Sequence, residues 1–331
     1  MKSNMKKLII TIFLLLIGIS GLLFFKNYNL QKGIAKANVE FENYIPAKIL
    51  NWGTVESVSI TPLIDWHAVS DSFKTEAGVS YLIKTDKHTI LFDLGYNPEQ
   101  IEPSPLQQNM AKLGITLVEI DMIVISHNHF DHVGGKKWMD ANTFSLGNVQ
   151  SELGRKTIYT PIDMTYPGQH PITTQIPQML DSGIATIGTI PAELIIGKID
   201  EQALAIHIKG KGILLVVGCS HQTIPKIIKR TKDLFSEPIY AIVGGLHFPI
   251  PEGRLKLVGG LIDAQKIGSG NGPFDQMTQE DVDANIKLLK DLGIKLIGVG
   301  GHDSSDEVIQ QFKKEFGDAY RYVKVGKRID I

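Results

Sequence analysis

Ser126-His127-Asn128-His129-Phe130-Asp131-His132-Val133-Gly134-Gly135 puts three histidines and an aspartate within six consecutive positions. Imidazole nitrogen suits zinc and related divalent ions, and a neighbouring carboxylate adds a hard oxygen ligand. The stretch before it, Met122-Ile123-Val124-Ile125, is short, apolar and β-branched, and reads as a buried strand. If the extended conformation persists, His127 and His129 point the same way, because strand side chains alternate with period two. One ion can then take both. Asp131 and His132 are adjacent and need a turn to converge. A helix-like curl after His129 brings both towards a second ion, and Gly134 and Gly135 permit tight backbone there. With ten histidines in 331 residues, chance clustering is a poor account of this spacing.

Around this loop the chain alternates strands and helices. Val55–Ile60, Val79–Lys84 and Thr89–Phe92 read as early strands, and residues 61–77 between them as an irregular insertion. Within it, Trp66 and Phe73 either contact substrate or pack the loop's own surface. His88 falls in a turn, His170 between Pro and Gly turn residues, and His207 on an alternating strand, none of them at ligand spacing. Gly212–Val217 is a strongly apolar strand followed by Gly218-Cys219-Ser220-His221, with a helix expected over Lys226–Leu234. The strand Pro238–Val243 leads to Gly244-Gly245-Leu246-His247 in the same way. Residues 251–277 are Gly-rich and read as a flexible loop, with Phe274 and Met277 placed to cap a pocket. An amphipathic helix begins near Thr278 and stops at Gly293. The strand Leu296–Val299 ends in Gly300-Gly301-His302-Asp303, and Ser304 or Ser305 can cap the last helix.

Composition narrows the functional classes. A hydrophobic content of 43% supports a sizeable core, and a net charge of −1 offers no bulk electrostatic basis for nucleic-acid binding. The single cysteine, Cys219, excludes an intramolecular disulfide framework. No Walker-type or dinucleotide-binding glycine motif indicates a nucleotide cofactor. At the N-terminus, Lys2, Lys6 and Lys7 precede Leu8–Phe25, which carries no charge, and Lys26 ends the run. As a helix these residues rise about 27 Å, close to a bilayer core. The expected organisation is a signal anchor over 1–26, a polar linker without clear period over 27–50, and a catalytic domain over 51–331. The lysines preceding the run place that domain outside the cytoplasm in a single-pass arrangement. A cleaved signal peptide is the competing reading, although the nearest small-residue pattern, Ala35-Lys36-Ala37, lies far downstream.

The motif His-x-His-x-Asp-His after an apolar strand resembles the metal signature of the metallo-β-lactamase superfamily. Gly78–Ile83 and Thr89–Gly95, which ends in Phe92-Asp93-Leu94-Gly95, resemble that family's early strands, and Asn109–Ile115 the helix before its metal strand. Gly218–His221, Gly244–His247 and the ending Val325–Ile329 resemble the subgroup with the dihydropterin–ribofuranosylaminobenzene phosphate synthases and related bacterial hydrolases. The likeness spans roughly residues 50–331. It implies an α/β fold, a four-layer αβ/βα sandwich, here preceded by a transmembrane helix.

The resemblance also implies a ligand set: His127, His129 and His221 for one ion, and Asp131, His132 and His302 for a second. Zn²⁺ is the expected metal, two ions in number, with Mn²⁺ or Fe²⁺ as alternatives. Relatives place a bridging aspartate near the position of Cys219; a thiolate can ligate zinc, and a buried structural cysteine is the other reading. Where relatives have His-Cys-Thr-Gly, this chain has His302-Asp303-Ser304-Ser305. Asp93 either orients a ligand or caps its turn. His247 is open to three roles: substrate binding, proton donation or ligation. Two such metals lower the pKa of a shared water, with Asp131 orienting it; with a single metal, Asp131 acts as base instead. Three functions follow: a membrane-anchored hydrolase of a small-molecule phosphoester, lactone or other ester; a transferase like the dihydropterin synthase; and a non-catalytic metal-binding sensor.

Overall fold

The computed structural model describes residues 2–331, apart from the side chains of residues 2–5, 8, 16, 19 and 257. A long helix, α1 (Lys2–Asn43), leads into strands β1 (Val58–Ile64), β2 (Ser80–Thr85), β3 (Thr89–Phe92), β4 (Met122–Val124), β5 (Thr157–Thr160) and β6 (Ile172–Thr173). Helices α2 (Pro105–Lys112) and α3 (Lys136–Asp140) lie between them in sequence. The second half supplies β7 (Gln178–Asp181), β8 (Ile184–Thr186), β9 (Ile190–Leu194), β10 (Gly197–Glu201), β11 (Leu204–Ile208), β12 (Gly212–Val217) and β13 (Ile239–Gly244). After α4 (Ile224–Leu234) and β13 come a small hairpin, β14 (Lys256–Leu257) and β15 (Ile262–Asp263), and the short α5 (Ala264–Ile267). Helix α6 (Gln279–Asp291), β16 (Leu296–Val299), α7 (Asp306–Phe316), β17 (Tyr320–Tyr322) and β18 (Ile329–Asp330) complete the chain.

Two seven-stranded sheets result, ordered β18-β1-β2-β3-β4-β5-β6 and β17-β16-β13-β12-β11-β8-β7. Strand alternation assigns each side chain a layer. Ile90 and Phe92 of β3 join Leu214 and Val216 of β12 between the sheets. Leu91 faces outward to Leu106 and Met110 of α2, while Ile213, Leu215 and Val217 face outward to residues of α4, α6 and α7. Both faces of these strands are covered, which is why they read as unbroken apolar runs. The arrangement is the expected four-layer α/β sandwich with helices on the two outer faces. The neighbours β3, β4 and β5, and likewise β12, β13 and β16, run parallel. Loops leaving the C-terminal ends of β4, β12, β13 and β16 are the usual place for chemistry in such sheets.

Three segments differ from their local reading. Residues 27–43, read as a linker without period, continue α1 as helix. Leu30, Ala37 and Phe41 are buried on the domain, and they share one face at helical spacing. Strand β1 runs on to Ile64, into the stretch read as insertion. The Gly-rich 251–277 segment holds the β14–β15 hairpin and α5.

Docking of α1 is specific. Lys226 Nζ donates to Asn38 Oδ1 at 2.6 Å, and the Phe41 ring lies 5.4 Å from each of Lys226 Nζ, Lys229 Nζ and Arg230 Cζ. Phe41→Ala is expected to cost about 3 kcal/mol, the low end for a buried phenylalanine. Faster amide exchange across residues 30–43 in hydrogen–deuterium exchange is the expected signature; unchanged protection there would show that the ring does not secure the helix.

Candidate metal centre

The loop after β4 takes the two shapes its spacing requires. His127 and His129 converge, with His127 Nε2 3.1 Å from His129 Nδ1. The chain then curls: the carbonyl of His129 accepts from His132 N at 3.0 Å and from Val133 N at 3.2 Å. Gly134 follows with φ +86°, and a Cβ there would run into the Ser145 carbonyl oxygen. The glycine is thus required twice, by its backbone angle and by lack of space.

Later strand ends bring the remaining residues to this loop. Cys219, after β12, lies with Sγ 2.9 Å from His132 Nε2 and 3.0 Å from His302 Nε2. Ligand atoms of Asp131, His132, Cys219 and His302 form one group within 4.8 Å of one another, and those of His127, Cys219 and His221 form another. His129 joins the second group through His127, with its ring centroid 4.9 Å from that of His221. The six expected residues therefore meet at one place, with Cys219 common to both groups. His247 stands beside them, 4.8 Å from His221 between ring centroids, and its φ is +52°. Gly245 allows the β13 loop to approach: an added Cβ would lie 2.8 Å from Asp303 Oδ2 and against the His302 ring.

The donor set fits a cation. Burial, and then the neighbouring histidines, push the pKa values of His127 and His221 well below the usual imidazole range. Burial lowers His129 to about 3 and His302 to about 4. Neutral imidazoles offer lone pairs. Among the described residues, His129 Nε2, both ring nitrogens of His221 and of His247, and His302 Nδ1 are buried without a hydrogen-bond partner. Buried polar atoms left in this state are costly, and a divalent ion satisfies such nitrogens. Burial, followed by Asp303 and Asp131, pushes the Cys219 thiol well up; a cation at this point favours its thiolate.

Asp93 sets the orientation of His132. Its carboxylate accepts from Ser126 N and Ser126 Oγ, each at 2.7 Å, and lies 2.7 Å from His132 Nδ1. Nδ1 therefore carries a proton and Nε2 faces Cys219 and Asp131. Burial opposes charge on this ring, but Asp93 and Asp131 together raise its pKa to about 9; a cation would displace the second proton from Nε2. Asp93→Asn is expected to weaken metal retention about 10–100-fold, the usual effect of losing such a supporting carboxylate. Metal titration against a competing chelator measures this; unaltered affinity would reduce Asp93 to a turn residue.

Local patterns gave no sign of three supporting carboxylates. Glu201, at the end of β10, is buried and accepts from Cys219 N and Ser220 N at 2.9 Å and His221 N at 2.7 Å. Asp65 accepts from Gly301 N at 2.7 Å and from the Tyr81 hydroxyl at 3.1 Å, which holds the turn before His302. Burial raises both carboxyls to about 7. Asp303 accepts from His247 N at 3.1 Å and so fixes the β13 loop. The other singled-out residues lie elsewhere. His88 pairs with Asp181 at 2.6 Å, and His207 Nδ1 lies 2.8 Å from the Gly53 carbonyl. Trp66 lies under the Arg254 guanidinium at 5.2 Å, and Lys112 sits 4.8 Å from the Phe73 ring centre. Phe274, by contrast, lines a cavity of about 650 Å³ that also exposes His129, Asp131, Cys219, His221 and His247.

Residues 74–143 match the metallo-beta-lactamase superfamily. The chain is 28% identical over 324 residues to the 7,8-dihydropterin-6-methyl-4-(beta-D-ribofuranosyl)-aminobenzene-5'-phosphate synthase of Methanocaldococcus jannaschii, covering 85% of this chain and 99% of that one. In structure it is similar to Tm1679, a metal-dependent hydrolase of the beta-lactamase superfamily, with TM-score 0.56, 19% identity, and coverage of 83% of this chain and 99% of that one. It also resembles the metallo-beta-lactamase fold protein YhfI from Bacillus subtilis, with TM-score 0.50, 14% identity, and coverage of 83% and 100%. Residues 74–143, which include the loop after β4, thus carry a metallo-β-lactamase superfamily domain, and the solved structures share its fold.

Proposed function

We propose that the protein is a membrane-anchored, metal-dependent hydrolase of a small-molecule ester, lactone or phosphoester. His127, His129 and His221 hold one divalent ion and Asp131, His132 and His302 a second, with Cys219 between them. Zn²⁺ suits this mixture of imidazole, thiolate and carboxylate, with Mn²⁺ or Fe²⁺ as substitutes. The observation that carries the reading is a buried cluster of imidazoles about one sulfur: ligand atoms of His127, His132, His221 and His302 group with Cys219, and both ring nitrogens of His221, with Nε2 of the adjacent His129, have no hydrogen-bond partner. Bound there, divalent ions supply Lewis acidity and lower the pKa of water towards neutrality.

The chain's own groups supply the rest. Asp131 borders the cavity and orients the attacking water, and it would accept the proton only if a single ion were bound. His247 borders it too, with Nδ1 3.7 Å from Asp303 Oδ2, and donates a hydrogen bond or proton to the substrate's departing oxygen. Apolar walls exclude bulk water and strengthen these contacts. Helix α1 contains a segment long and apolar enough to cross a bilayer; the lysines before it favour an extracytoplasmic domain, and secretion after cleavage is the alternative.

The relative from Methanocaldococcus jannaschii supports a second reading, a synthase or transferase, since the alignment takes in nearly all of that protein. Placement outside the cytoplasm argues against it. Full-length protein in detergent, assayed for metal by mass spectrometry and against phosphodiesters, lactones, carboxylic esters, β-lactams and the synthase's substrates, separates these. Turnover confined to the synthase reaction would replace the hydrolase reading. Bound metal without turnover of any class would leave a metal-binding sensor.

A further inference from the structure

Leu23 belongs to the uncharged run of α1, yet it lines the same cavity as His129, Asp131, His221 and His247. The membrane-crossing segment of the proposed anchor thus ends as a wall of the candidate active site. Lys26 and Leu30, one and two turns on, continue that wall. No break separates the apolar run from the docked part of the helix, which is continuous from Lys2 to Asn43. Docking starts at the cavity: Gln31 Nε2 donates to the Asn271 carbonyl at 2.8 Å, and a Cβ on Gly272 would meet the Leu30 side chain. A rigid helix, in place of a flexible tether, fixes which way the cavity faces relative to the bilayer.

The other walls at that end are apolar and exposed. Ile195 and Ile196 form the tip of the β9–β10 hairpin, and Ile196 is 70% exposed. Ile262 lies on the β14–β15 hairpin, whose tip carries Val258 and Leu261, the latter 84% exposed. Phe274 is 72% exposed. Two hairpin tips and an aromatic ring, all apolar, thus surround one mouth beside the end of a membrane-length helix. In water such a patch is unfavourable, and it marks a binding or membrane surface. The ligand-bearing end of the cavity is buried and polar; the open end is apolar. A molecule matching both is an ester group on an alkyl chain.

Resting on the hydrolase and anchor readings above, we infer that the substrate is a membrane-resident amphiphile, an acyl-chain carboxylic or phosphoric ester that enters from the bilayer between α1 and the two hairpin tips. The tips and Phe274 seat in the interface, and the alkyl chain lies along Leu23, Ile196 and Ile262. Lys26 holds its ammonium at headgroup level while its stem covers apolar wall. The ester group then reaches Asp131 and His247 without the molecule leaving the membrane entirely.

Two measurements on the full-length protein in phosphatidylethanolamine–phosphatidylglycerol vesicles test this. In the first, a phospholipid with a diazirine on its acyl chain is photolysed and the adducts are mapped by mass spectrometry. Adducts are expected on 194–196 and 258–274 as well as on α1, and they should fall at the tips in an Ile196→Asp/Phe274→Asp variant, with α1 as internal reference. Adducts confined to residues 9–26 would overturn the inference whether or not the protein is a hydrolase. In the second, p-nitrophenyl carboxylic esters from butyrate to decanoate and alkyl p-nitrophenyl phosphates of the same chain lengths are compared below their critical micelle concentrations. kcat/KM should rise by up to about fourfold per methylene, the factor expected for burying one CH₂, and the slope should flatten in the variant. Short esters turned over with a flat profile would overturn the amphiphile and leave the hydrolase standing. Labelled tips without turnover at any length would overturn the hydrolase and leave the lipid seat standing.

Discussion

His129→Ala is expected to release the ion assigned to His127, His129 and His221 and to lower ester hydrolysis by more than about 100-fold, the upper value for losing a partner one shell further out. His129 is buried, and its ring stands 3.1 Å from His127 Nε2 with Nε2 itself unpartnered. Burial holds the ring neutral, so alanine removes a lone-pair donor and leaves His127 and His221 with only Cys219 between them. Because the ring makes no hydrogen bond that holds a fold element, the expected loss is in metal content rather than in folding. His88→Ala is the matched control: that histidine pairs with Asp181 on the surface, and its removal should leave metal content unaltered. Elemental analysis of both variants decides the matter. A His129→Ala protein with full metal content and normal turnover would remove His129 from the ligand set.

Glu201→Leu is expected to destabilise the domain by on the order of 3 kcal/mol or more, since several buried amides lose their acceptor at once. The carboxylate accepts from the successive amides of Cys219, Ser220 and His221, and Ser220 has a φ of +65°, strained for a residue other than glycine. Without the acceptor the turn has no reason to keep that shape, and Cys219 and His221 leave their positions together. Glu201→Gln retains one acceptor oxygen but turns an NH₂ towards an N–H, so an intermediate loss is expected. Urea titration followed by circular dichroism gives the stability order; wild type, Gln and Leu variants with equal midpoints would show that Glu201 does not hold the turn.

Much of the site was legible because metal ligation and strand burial leave local marks. The apolar runs before residues 126, 218 and 300 are strands β4, β12 and β16, and each ends beside histidines the spacing had singled out. The N-caps of α6 and α7 are Thr278, where the residue pattern starts a helix, and Ser305, one of the two serines able to cap. Glu201 was not legible: it lies in the polar string Asp200-Glu201-Gln202, and its partners begin 18 residues away. The docked half of α1 was missed for a related reason. Leu30, Ala37 and Phe41 are too sparse among polar neighbours to reveal a face until the domain surface that covers them is present.

From sequence alone came the order of elements, the two-part loop after β4, the sandwich implied by family resemblance and the membrane-length apolar run. Apart from the sandwich, which came through the resemblance, each rests on interactions within a few residues, where period, turn chemistry and ligand spacing repeat faithfully. Only the tertiary structure brought Cys219 within reach of both ligand groups, chose between the two readings of Asp93, set Glu201 behind the turn and made α1 a wall of the cavity. Those relations depend on how two sheets pack and where remote strand ends meet, and no local pattern encodes the distance between side chains that the fold alone brings together.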